Sequence, residues 1–110
     1  MDVELLLREL SRSPDLASFR KLVDPLLAHD RKRRSNLVRT LRVYLTAGAN
    51  ASEAADRLFL HRNSMLYRLA RIQKLTGLDL KETETRLAFQ LGLLAIDAEE
   101  RSFDHEVEHP

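Results

Sequence analysis

Several sets of side chains in this sequence have types and spacing that could do chemistry. The densest is Arg62-Asn63-Ser64, with His61 before it and Tyr67, Arg68, Arg71 and Lys74 after it. An Arg guanidinium can bond guanine O6 and N7 in bidentate fashion, and an Asn amide can do the same with adenine N6 and N7. Arg, Lys, Ser and Tyr side chains also meet phosphate oxygens. A second set, His105-Glu106-Val107-Glu108-His109, has the H-E-x-x-H spacing that holds zinc on a helix. It ends one residue before the C-terminus, so no third ligand follows, and no core is at hand to fix its geometry. His61 and Ser64 have the types of a base and a nucleophile, but no carboxylate is placed to orient the imidazole. His29-Asp30 reads as a helix end and the start of a turn. Three isolated glycines make no phosphate-cradling loop. The absence of cysteine excludes disulfide scaffolds and thiolate zinc sites. The expectation is a protein with no catalytic residue, no cofactor and no metal site.

Charge sharpens the choice. The 110 residues carry 18 Lys and Arg against 17 Asp and Glu, a net charge of only +1. Residues 1–30 hold four basic and six acidic side chains, net −2. Residues 31–74 hold eleven basic and two acidic, net +9, and residues 75–110 hold three basic and nine acidic, net −6. A basic middle between acidic flanks points to a polyanion partner. The length fits one domain with a modest core. No apolar run approaches the roughly 20 residues of a membrane span, and no signal peptide is visible, so a cytoplasmic protein without a membrane contact is expected.

The elements that must position these groups are helices. Leu dominates, β-branched residues are sparse, and no stretch alternates with period two. The pattern predicts an all-α helical bundle of six segments. The first covers about Val3 to Leu10. The second covers about Asp15 to Val23, with Ser13 as N-cap and Pro14 at the first helical position; Pro25 ends or kinks it, with room for one more turn over Leu26 to His29. The basic run Arg31 to Arg34 reads as the first turn of a third helix reaching Ala47. Gly48 is placed for a left-handed cap, and Asn50 with Glu53 has capping-box spacing. A short helix, about 51–58, and a longer one, about 62–75, flank the turn Phe59-Leu60-His61. A last helix covers about Thr83 to Ala98.

Two helices joined by three residues, the first with a small inner face of Ala54 and Ala55, form a helix-turn-helix. Leu58, Leu60 and Met65 set the angle from inside, and Met65, Leu66, Leu69 and Ile72 make the inner face of 62–75. A wheel of ~100° per residue turns Asn63, Ser64, Tyr67, Arg71 and Lys74 outward, with Arg62 at the edge of the apolar arc. Arg62, Asn63 and Tyr67 are the expected base readers. His61, Ser64, Arg68, Arg71 and Lys74 are the expected phosphate contacts. His61 alternatively caps the helix or sits half-buried. Phe59 stands where many such turns have Gly, so the turn is made without a residue that adopts positive φ freely. The competing reading is an interaction module whose basic face docks an acidic protein partner.

The last helix has one apolar face of Leu87, Leu91, Leu94, Ala95 and Ala98 and another of Phe89, Leu93 and Ile96. It needs two partners. One is the domain's own core, and the other is the segment 3–27 or a second copy. A homodimer would place two reading helices about 34 Å apart on double-stranded DNA. The expected organisation is a helical lead-in over 1–30, a DNA-binding domain over 31–98, and an acidic, disordered tail over 99–110.

The residues Thr40-Leu41, Tyr44-Leu45, Gly48-Ala49-Asn50, Ala54-Ala55, Leu58 through Met65, Tyr67-Arg68-Leu69, Arg71-Ile72 and Thr76 through Leu80 resemble a known family. It is the C-terminal helix-turn-helix domain of PucR/CdaR-type bacterial transcription regulators. The likeness covers about residues 22–96, and His61-Arg62-Asn63-Ser64 with Tyr67-Arg68 is its most specific part. Ser64 stands where Thr is commoner, which keeps the hydroxyl. The helix pair is also similar to that of Fis-type nucleoid proteins. The resemblance implies DNA binding by a dimer, with an effector-sensing region absent from this stretch, which then looks like a C-terminal fragment behind an added Met1.

Overall fold

The computed structural model describes the backbone of residues 1–108 and the side chains through residue 101. The chain forms α1 (Val3–Ser11), α2 (Pro14–Arg33), α3 (Leu37–Thr46), α4 (Ala51–Arg57), α5 (Arg62–Thr76) and α6 (Thr83–Glu108). No strand occurs among the described residues. The all-α expectation holds.

The largest departure is α2. It was expected to end or kink near Pro25, yet it continues to Arg33. A proline inside a helix costs about 3 kcal/mol through a lost hydrogen bond and a clash. Its neighbours Val23 and Leu26 are both fully buried. Burying two such side chains contributes about 1.5–3 kcal/mol each, enough to carry the helix past the defect. The basic run is corrected accordingly. Arg31, Lys32 and Arg33 close α2, where cations favour the negative helix end, rather than opening α3. Arg34 then takes a left-handed conformation, φ 53°, and turns the chain.

Asp30 makes the next helix start where it does. Its carboxylate accepts hydrogen bonds from the backbone N–H of Leu37 (2.8 Å) and Val38 (3.0 Å) and from the Ser35 hydroxyl. His29 Nδ1 lies 2.8 Å from the same hydroxyl. A carboxylate on the two leading amides of α3 is an N-cap supplied from the preceding helix. The local residue, Asn36, makes no side-chain cap bond.

The core gathers Leu37, Leu41 and Tyr44 of α3, Val23 and Leu26 of α2, Met65 and Ile72 of α5, and Phe89 and Leu93 of α6. α2 and α6 approach closely at Gly92. A Cβ there would lie 2.6 Å from the Phe19 carbonyl oxygen and 2.8 Å from Val23 Cγ2. The second partner of α6 is thus α2. Phe89, Leu93 and Ile96 face the core, while Leu87 remains exposed and Leu91 and Leu94 half-buried. Arg42 of α3 grips Asp97 of α6 with both terminal nitrogens, at 3.0 and 3.1 Å.

α6 does not stop at Ala98. It runs to Glu108, beyond the helix end expected near Ala98. The apolar stripe ends near Ala98, but no Gly or Pro follows Gly92 until Pro110, so nothing breaks the helix. The His105–His109 motif falls on side chains outside the described residues. At the other end, α1 is capped by Asp2, whose carboxylate accepts from Leu5 N at 3.1 Å. None of its residues is buried, and Val3, Leu5, Leu6, Leu7 and Leu10 are all exposed.

Candidate nucleic-acid interface

The helix pair lies within a residue or so of its expected bounds. Asn50 Oδ1 accepts from Glu53 N at 2.9 Å and fixes the start of α4. The reciprocal half of the expected capping box is not made. Glu53 instead accepts from Arg57 Nε at 3.1 Å, one turn on. Ala54 and Ala55 are buried and Met65 is fully buried between them and the core, so the two helices cross closely.

The turn is tight. Leu60 N donates to Ala55 O (2.9 Å) and Phe59 N to Asp56 O (3.2 Å). Phe59 adopts φ 56° with its ring 96% exposed. A left-handed L-residue costs about 1–2 kcal/mol, and here no burial of the ring offsets it. His61 follows in extended conformation as the N-cap residue of α5. Its carbonyl accepts from Met65 N at 3.1 Å, but its imidazole makes no cap bond and is exposed. It is the N-cap through its backbone alone, and it is not half-buried.

α5 buries Met65, Leu69 and Ile72. Leu66, expected on that face, is exposed. The outward face centres on Asn63, Tyr67 and Lys74, all exposed, with Arg62 on one flank. Ser64 and half-buried Arg71 lie on the other. Arg68 differs from its neighbours. Its Nη1 donates to Thr40 Oγ1 at 3.2 Å, and that fully buried hydroxyl donates to Asn36 O at 2.7 Å. Arg68 therefore ties α5 to the start of α3 and extends only partly to the surface.

Four basic residues away from this face are matched to acids. Arg8, Arg20, Arg42 and Arg57 each lie within 4 Å of a carboxylate. Among the described residues, Arg62, Arg68, Arg71 and Lys74 have no such partner. The Ser64, Arg68 and Arg71 side of α5 borders an open groove whose far wall is the α2–α3 corner, with Arg33, Arg34 and Ser35. Sequence reading saw the charge of that corner but placed it on the wrong helix. No group of metal-ligating side chains is found among the described residues. No helix among them is long and apolar enough to cross a membrane.

A short, small-faced helix, a four-residue connection over 58–61 and a longer helix with an unpaired cationic surface define a helix-turn-helix domain of the DNA-binding class. Residues 37–95 match the PucR C-terminal helix-turn-helix domain family, and the chain belongs to it. It is thereby a DNA-binding domain of the transcription-regulator type.

It is similar to the purine catabolism regulatory protein of Bacillus subtilis, 39% identical over 84% of this chain and 17% of that protein. It is also similar to the proline-responsive transcriptional activator PutR of Bacillus subtilis, 35% identical over 63% of this chain and 17% of that one. The carbohydrate diacid regulator of Escherichia coli is 40% identical over 52% of this chain and 15% of its own length. The chain thus spans less than a fifth of the length of these relatives. No solved structure gives a significant match.

Proposed function

We propose that this chain binds double-stranded DNA sequence-specifically, with α5 in the major groove, as a cytoplasmic homodimer within a transcription regulator. The observation that carries this is the outward face of α5, where Arg62, Asn63, Tyr67 and Lys74 are exposed and without acidic partners. An α-helix fits the major groove with its first residues at the base edges. Arg62, Asn63 and Tyr67 read bases, and His61, Ser64, Arg71 and Lys74 meet phosphates on either side. Arg68, held by Thr40, sets the pitch of α5 against α3 and offers its remaining nitrogens to the backbone. Effector sensing belongs to a region outside these residues.

The dimer is supported by the leucine-rich surface of α1, which the monomer leaves uncovered. A nine-residue helix with nothing buried is marginal in isolation, and a second copy supplies the missing apolar cover. Selection from random duplexes tests all of this. A two-fold symmetric site with half-sites about one helical turn apart is expected. Recovery of no consensus, with binding to an acidic protein surface instead, would favour the interaction-module reading.

A further inference from the structure

We infer that the groove between α5 and the α2–α3 corner seats one phosphodiester strand of the duplex, which Arg33 and Arg34 close from the side opposite α5. The inference rests on the DNA-binding reading above and adds a contact that the helix-turn-helix pair does not contain. A helix in the major groove lies between two backbone strands. The strand passing the Ser64–Arg71 flank of α5 must run between that flank and whatever stands beside it. What stands beside it is the corner carrying Arg33, Arg34 and Ser35.

The charge of the groove fits a polyanion. Four guanidinium groups, Arg33 and Arg34 on one wall and Arg68 and Arg71 on the other, line it. None lies within 4 Å of a carboxylate among the described residues. The nearby acid, Asp30, is already engaged by Leu37 N, Val38 N and the Ser35 hydroxyl. It therefore organises the corner, and it also occupies the α3 helix end where an anion would otherwise sit. The phosphates are left to the guanidinium rim. Arg34 is exposed in the left-handed region, φ 53°, a conformation that an arginine adopts at a cost. The reading surface then begins on α2, upstream of residue 37, where the family match starts.

The test is a salt series on duplex binding by the full chain and by an Arg33→Gln/Arg34→Asn variant. Asn keeps the left-handed position accessible, and circular dichroism checks the fold. Each phosphate contact adds about −0.9 to the slope of log affinity against log salt. Two lost contacts make the slope shallower by about 2, so between 50 and 200 mM salt the full chain loses about twelvefold more affinity than the variant. The loss is expected on specific and random duplexes alike. An Arg12→Gln/Lys21→Gln variant removes the same charge elsewhere and is expected to keep the original slope. Equal slopes for the full chain and the corner variant, or equal losses in both variants, would overturn the inference and leave DNA binding standing. Failure of the unaltered chain to bind any duplex at low salt would overturn the DNA reading itself.

Discussion

Replacing Phe59 by glycine is expected to stabilise the domain. Phe59 holds φ 56° at the centre of the helix-turn-helix turn, and its ring is 96% exposed. Glycine removes a left-handed penalty of about 1–2 kcal/mol. Against this stands the greater freedom of glycine in the unfolded chain, about 0.5–1 kcal/mol. Almost no apolar burial is lost, because almost none exists. The balance is about 0.5–1 kcal/mol in favour of Phe59→Gly. With a urea slope of about 1–2 kcal/mol per M, the unfolding midpoint rises by about 0.5 M. Phe59→Ala separates the causes, since it deletes the ring but keeps the penalty. Its stability should stay within about 0.5 kcal/mol of the original. A midpoint that falls for Phe59→Gly, or rises as much for alanine as for glycine, would refute the backbone argument.

Four other substitutions probe the scaffold and the interface. Gly92→Ala gains about 1 kcal/mol of helix propensity, but its Cβ meets a backbone oxygen at 2.6 Å that cannot swing away. Overpacking of this kind costs about 1–3 kcal/mol, so a net destabilisation of up to about 2 kcal/mol is expected in urea titration, and a stabilised variant would contradict the close approach. Asp30→Ala strips the cap from α3, at about 1–2 kcal/mol, and hydrogen exchange at the Leu37 and Val38 amides should quicken. Unchanged exchange there would mean that other groups hold those amides. Arg62→Ala is expected to cost about 1–3 kcal/mol at a single base position, whereas Lys74→Ala weakens all duplexes alike and reduces the salt slope by about 1. Equal losses on specific and random duplexes for both variants would show that the two roles are misassigned.

The helix-turn-helix was legible because its signals are local. Asn50 caps, alanines pack, Gly77 stops α5 in a left-handed conformation at φ 72°, and each needs only its own neighbours. The course of α2 was not legible, because Pro25 is a local stop signal while the burial of Val23 and Leu26 that overrides it is tertiary. The Asp30 cap was hidden for a related reason. It reaches seven and eight residues forward across a turn, beyond the three-residue window in which capping motifs are read. Arg68 was read only as a phosphate contact, because Thr40, which places an acceptor beside it, is far away in sequence. Leu66 was assigned to the inner face because it is apolar, yet the helix turns it outward.

The seam between α2 and α6 joins segments from nearly opposite ends of the chain, whereas the contacts within α4 and α5 are close in sequence. Closing the seam demands a large loop-closure entropy, so it is rewarded late in folding. Loosening it, as Gly92→Ala does, is then expected to speed unfolding while leaving the folding rate nearly unchanged in stopped-flow measurements. A comparable slowing of folding would place the seam in the early nucleus instead. A fold ordered in this way has its outer layer as its kinetic weak point. It can open between α2 and α6 while the pair that meets DNA keeps its shape.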